Sequence, residues 1–171
     1  SNAAFAITPD GGTGGTGNVF INEVLINEPG SDVNGEFVEL VNSGTAAVDL
    51  SGWTVSDGAA VRHTFASGTT VAAGKAVVVF GGASGIPSGT PGAVAASTGS
   101  LILGNSGDTV TVKNSAGTVV STATFASSLA GTDGVSANRS PDASSTGSFV
   151  LHTGVSSLSR SPGTRANGTA F

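Results

Sequence analysis

The chain has no cysteine, no methionine and no tyrosine, a single tryptophan, and only six lysines and arginines against eleven aspartates and glutamates in 171 residues. Without cysteine there is no disulfide and no thiolate zinc site. The redox compartment stays open, because a reduced cytosol and bacterial export both tolerate such a chain. The net charge of -5 and the shortage of cations exclude a broad nucleic-acid surface, which needs clustered Lys and Arg to displace counterions from phosphates. No apolar run approaches the roughly 18 residues of a membrane-spanning helix; the longest, Ala76 to Phe80, has the length of a strand. Leu, Glu and Lys, which fill natural helices, are scarce. There is no G-x-S-x-G elbow, no H-E-x-x-H and no Walker pattern, so hydrolase and nucleotide chemistry lack a signal.

What is abundant is Ser (24), Thr (20), Ala (23), Val (20) and Gly (27), a palette of strands joined by turns. The 27 glycines and 6 prolines are under a fifth of the chain, below the roughly 25 to 30% of a disordered low-complexity sequence. The length suits one domain. Ser1-Asn2-Ala3 has the form of a scar left by removal of an affinity tag, so the first residues carry no information on targeting. Residues 1–17 read as that remnant followed by a flexible linker, GGTGGTG, and residues 18–171 as the folded domain. The linker holds a literal G-x-G-x-x-G at Gly12, Gly14 and Gly17, but it precedes the first strand and no helical period follows it, so a dinucleotide site is not indicated.

From Asn18 strands succeed one another: VFINEVLIN, GEFVELVN, Trp53 to Ser56, Val61 to Phe65, Val77 to Phe80, Leu101 to Leu103, TVTVK, TVVSTATF and Ser148 to His152. About nine short strands, frequent turn signals and no amphipathic helix predict an all-β sandwich. Two segments, Gly81 to Ser100 and Ala126 to Gly147, are too long for ordinary turns and read as long loops.

VFINEVLINEPG, GEFVELVNSGTAAVDLSGWTVSDG, HTFASGTTVAAGKAVVVF and SRSPGTRANG together resemble the lamin tail domain, also called the intermediate filament tail domain, over roughly Asn18 to Gly168. The resemblance implies an immunoglobulin-like β-sandwich without catalytic residues. In its bacterial, secreted form it implies an extracellular or cell-surface accessory module, often beside hydrolases such as nucleases or phosphatases, that binds a protein or a cell-surface component. The acidic balance offers no broad basic surface, so the chromatin contacts of the animal relatives do not carry over. No heptad rod is present for filament formation.

Period-two geometry places Ile21, Glu23 and Leu25 on one face of the first strand and Phe37, Glu39 and Val41 on one face of the second. If both faces meet the core, Glu23 and Glu39 are inward carboxylates, and an unpaired one would cost several kcal/mol. The expected partners are His63 and, reaching from the second long loop, Arg139, with an Arg139 to Glu39 pair pinning that loop over the sheet. A glycosidase-like acid and base pair is the catalytic alternative, but it needs an open cleft with an aromatic lining. Trp53 is expected to anchor the sandwich core; a sugar-stacking platform is the alternative. Glu28, Asp32, Asn34 and Glu36 gather hard oxygen ligands in what reads as an exposed acidic loop, where calcium is the one cofactor to consider. The leading expectation is a non-enzymatic binding module. A calcium-dependent or carbohydrate-contacting adhesion domain, appended to a secreted hydrolase, stands second.

Overall fold

The computed structural model describes residues 15–30 and 33–171. Twelve strands lie among them: β1 (Val19–Leu25), β2 (Phe37–Asn42), β3 (Val48–Asp49), β4 (Thr54–Ser56), β5 (Val61–Thr64), β6 (Thr70–Val71), β7 (Ala76–Phe80), β8 (Ala93–Ala95), β9 (Gly107–Lys113), β10 (Val119–Ala126), β11 (Ala137–Ser140) and β12 (Ser148–Leu151). They form a six-stranded sheet in the order β12-β11-β1-β2-β7-β8, a four-stranded sheet β10-β9-β4-β5 and the small pair β3-β6. The all-β immunoglobulin-like sandwich is the observed fold.

The main core lies between the two larger sheets. Ile21 and Val24 of β1, Val38 and Leu40 of β2, and Val77 and Val79 of β7 meet Val55 of β4, Val110 and Val112 of β9, and Phe125 of β10. Along β2 the alternation is regular. In β1 it breaks, because the register with β2 slips between Ile21 and Glu23. A bulge of this kind inserts one residue and flips the rest of the strand to the other face. Ile21 and Val24 therefore both point into the sandwich, and Glu23 and Leu25 do not. The expected trio Ile21, Glu23 and Leu25 is split. Phe37 and Glu39 lie with Glu23 and Leu25 on the outer face of the six-stranded sheet, away from the second sheet. That face has its own small core of Leu25, Phe37, Val78 and Phe80.

Both long loops contain strands. Residues 81–100 hold a short 3₁₀ turn (Ala83–Gly85) and β8, which pairs parallel to β7. Residues 126–147 hold a four-residue helix (Ser127–Ala130) and β11, which enters the sheet between β1 and β12. Leu101 and Leu103 are buried as a strand would require, but their segment is irregular. Trp53 precedes β4 and is half-buried, packing against the rim of the main core rather than filling its centre. Of the expected linker, Gly12 and Gly14 lie outside the described residues. Thr16 is already tied to the fold, its carbonyl accepting the Thr45 N–H at 2.9 Å.

Candidate functional site

Antiparallel pairing sets Glu23 of β1 directly opposite Glu39 of β2, with Asn138 of β11 on the other side of Glu23. Both glutamates are 0% exposed. Two adjacent buried carboxyls repel and need donors. These come chiefly from a strap, residues 159–166, that crosses the outer face of the sheet. Glu23 Oε1 accepts the Ser161 N–H at 2.8 Å and the Ser136 hydroxyl at 2.6 Å, and its Oε2 accepts the Ser161 hydroxyl at 2.8 Å. His152 Nδ1 lies 3.4 Å from Glu23 Oε1, and its Nε2 is 3.0 Å from the Ala166 carbonyl. Glu39 Oε1 accepts from the Asn22 amide at 3.0 Å and Oε2 from the Gly163 N–H at 2.8 Å. Asp142 completes the row. It accepts from the amides of Asn22 and Asn138 and from the Ala166 N–H.

Gly163 is there for a steric reason. Its φ is +81°, and a Cβ would stand 2.6 Å from the Pro91 carbonyl oxygen, so only glycine brings this N–H down to Glu39. Asn22, the bulged residue, serves both ends of the row through its amide and accepts the Ala143 N–H at 2.9 Å.

Burial pushes the Glu23 carboxyl up, while Ser136, His152 and Ser161 draw it back. Burial pushes Glu39 well above the usual range, and the charge of Glu23 pushes it further, against weaker help from Asn22 and Gly163. Glu39 is thus the member of the pair that holds its proton most firmly.

Arg139 does not meet Glu39. The alternation of β11 places Asn138, not Arg139, on the carboxylate face. Arg139 Nε donates to the Ile21 carbonyl at 2.6 Å and Nη1 to Gly147 at 2.7 Å, with the guanidinium 4.6 Å from the Phe149 ring centroid and 5.4 Å from that of Phe20. It caps the bulge instead of pinning a loop. His63 sits on β5, in the opposite sheet. Its Nδ1 accepts the Ser97 N–H at 3.1 Å, its ring stands edge-on to Phe65 at 4.4 Å, and burial lowers its pKa to about 4, so it is neutral at pH 7. Sequence reasoning missed Asn22, Ser136, Asp142, Ser161 and Gly163 as partners. The small polar residues of SRSPG, opposite two strand-borne glutamates short of cations, were the available signal.

Of the acidic loop, Asp32 lies outside the described residues. Glu28 Oε2 accepts the Gly35 N–H at 2.5 Å, and the Asn34 carbonyl accepts the Gly82 N–H at 3.0 Å. Glu36 is 3% exposed rather than solvated, and its Oε2 accepts the Leu103 N–H at 3.2 Å. Among the described residues no three His, Asp or Glu side chains converge as a metal site. Burial, with the nearby charges of Glu28 and Asp108, raises the Glu36 pKa to about 7.

Glu36 gives a signed pH dependence. Its folded pKa of about 7 exceeds the ordinary value of 4.5. The folded state therefore binds the extra proton between these values and loses stability as pH rises from 4.5 to 7, by about 3 kcal/mol in total. In urea titrations, Glu36→Gln is expected to gain on the unmodified domain by about that amount across this window. Parallel curves would contradict the assignment. His63 works with the opposite sign, costing stability as pH falls from 6.5 toward about 4.

The carboxylate pair lies sealed beneath the strap, without the cleft that acid and base catalysis on a sugar requires. The fold and this polar row define an immunoglobulin-like sandwich whose internal carboxyls fasten the chain to itself. Residues 13–127 match the family model of the lamin tail domain, and the chain belongs to that family. Its members are non-catalytic immunoglobulin-like domains that typically mediate protein interaction. No curated protein matches the chain.

Proposed function

We propose that this domain is a non-catalytic binding module of a larger exported or cell-surface bacterial protein, positioning its neighbours by holding a protein or cell-surface component. The observation that carries this reading is the engagement of Glu23, Glu39 and Asp142 in bonds within the chain. Glu23 and Glu39 have no solvent exposure and Asp142 is tied to three donors, which leaves these carboxyls holding the fold together. The habit of the family supplies the rest. No helix among the described residues is long and apolar enough to cross a membrane.

A second reading, calcium-dependent adhesion, has one observation in its favour: Glu28 lies close enough to Glu36 for its charge to raise the Glu36 pKa, and a divalent cation would relieve that repulsion. One experiment separates the two. A fluorescent-protein fusion of the whole chain, titrated onto cell envelopes of the parent bacterium, is expected to bind saturably and equally with and without chelator. Binding abolished by chelator favours the calcium reading, and no saturable binding in either condition removes both.

A further inference from the structure

The two larger sheets differ in width. β10 stacks over β1, where Ser121 Oγ accepts the Ile21 N–H at 3.1 Å, and β5 stands against the turn after β8, where His63 Nδ1 accepts the Ser97 N–H. The orders β10-β9-β4-β5 and β1-β2-β7-β8 therefore lie in step, and β11 and β12 project past β10 with no strand of the four-stranded sheet facing them. The inner face of this ledge carries Arg139 and Phe149, directly opposite each other and both half-buried. The Phe149 ring meets Phe125 of β10 edge-on at 4.9 Å. The helix Ser127–Ala130 covers part of the ledge, packing against β9, β10 and β12.

β10 has eight residues and is the longest strand described, yet its pairing is one-sided. β9 takes one edge, and among the described residues no backbone group of Val119 to Ala126 has a partner on the other. The other sheet edges are guarded. On β5 the Thr64 N–H donates to Ser97 Oγ at 2.9 Å and the Arg62 carbonyl accepts the Thr98 N–H at 3.3 Å, while β8 and β12 have only three and four residues. Apart from a bulge between Val119 and Ser121, β10 lacks such guards. No charged residue and no proline stands between Asn114 and Thr132, and Val119 and Val120 are 52% and 36% exposed.

An open ladder of N–H and C=O groups selects an extended backbone. The ledge selects its side chains. Phe149 favours an apolar one. Arg139 donates to the Ile21 and Gly147 carbonyls, and among the described residues no carboxylate meets it and its Nη2 has no partner. Ile21, which it holds by the carbonyl, is the residue whose N–H meets Ser121, so the guanidinium stands beside the β10 edge. A half-buried cation without a counter-charge selects a carboxylate. A second copy of the chain does not fit. β11 and β12 project past β10 by two strand spacings, about 10 Å, and those of two copies joined through β10 would occupy the same space.

We propose that the open edge of β10 receives an extended segment of a partner polypeptide as a fifth strand of the four-stranded sheet, with an inward apolar side chain on Phe149 and an inward carboxylate on Arg139. The proposal rests on the binding-module reading and names the partner's chemistry. The probe is a labelled seven-residue peptide that begins and ends with threonine and alternates it with valine, aspartate replacing the central valine. In fluorescence anisotropy with the full, unmodified chain it is expected to bind saturably, and the same peptide with asparagine at the centre about tenfold more weakly, equivalent to about 1.4 kcal/mol. N-methylation of its even or of its odd positions removes the donors of one peptide edge, so one set should abolish binding and the other leave it. In hydrogen exchange read by NMR, alternate amides of Val119 to Ala126 should exchange fast in the free protein and slow when the peptide is added. Equal binding of the aspartate and asparagine peptides, loss with both methylated sets or with neither, or no saturation at millimolar peptide overturns the proposal. So does protection confined to another part of the chain, or a free protein that is dimeric with its β10 amides already protected. Envelopes that hold the fusion undiminished in saturating peptide overturn the edge assignment and leave the binding-module reading standing. Peptide binding without envelope binding supports the edge assignment and removes the broader reading.

Discussion

Glu23→Ala is expected to lower the stability of the domain by about 3 to 5 kcal/mol, the usual loss when one partner of a buried charged network is removed. The substitution strips the acceptor from the Ser161 N–H and the Ser161 hydroxyl at once and leaves the Ser136 hydroxyl only the Ser159 carbonyl at 3.4 Å, and these groups lie where water does not reach. A buried donor left without its acceptor loses about 1 to 3 kcal/mol, and the deleted side chain also leaves a void beside His152. Part of the loss is offset, because Glu39 no longer faces a second carboxyl. The check is chemical denaturation at pH 7 with the midpoint and slope fitted separately, since a change in slope would report a strap already loose in the native state. A midpoint within error of the unmodified domain would show that the strap is not held by this residue.

A larger effect is expected from cutting the chain after Leu158. The family match ends at residue 127, which invites the view that the remaining residues are dispensable. Their hydrogen bonds argue against it. The strap supplies four donors to three carboxylates: the N–H and hydroxyl of Ser161 and the N–H groups of Gly163 and Ala166. Hydrogen bonds contribute about 0.5 to 1.5 kcal/mol each, and about 1.5 to 3 where the acceptor is charged, so together with the apolar row that the strap covers the loss is comparable with the roughly 5 to 15 kcal/mol that holds a whole domain together. Removing Pro162 also uncovers the row of Leu25, Phe37 and Phe80. The shortened chain should bind a hydrophobic dye and show no sharp thermal transition. A cooperative transition within about 5 °C of the full chain would mean the strap is an ornament, since even 2 kcal/mol shifts a domain of this size by roughly 4 to 8 °C.

Much of this architecture is legible in the residues alone. GEFVELVN is a strand in the expected alternation, and Glu39 shares its face with Phe37 as period two demands. That face, however, is not the one that meets the second sheet. The period of β2 says which residues travel together and nothing about which side of the sheet they reach. For β1 even the grouping fails, because period two alone does not show that VFINEVLIN carries a bulge at Asn22. β11 is hidden for a related reason. ANRS has the composition of a turn, and it becomes a strand because β1 and β12 offer it hydrogen-bonding edges on both sides. An Arg139 to Glu39 pair is the natural expectation where cations are few and a buried carboxylate needs a donor. Small donors meet that need instead: backbone N–H groups, two serine hydroxyls and an asparagine amide, of which only those in the SRSPG run are grouped in the sequence.

The strap reaches across nearly the whole chain, since Ser161 is 138 residues from Glu23 and Gly163 is 124 from Glu39. The glutamates of β1 and β2 therefore wait for partners made more than a hundred residues later. Until residue 163 has emerged, the strap bonds to these glutamates cannot form, so the outer layer closes only after both larger sheets have been made.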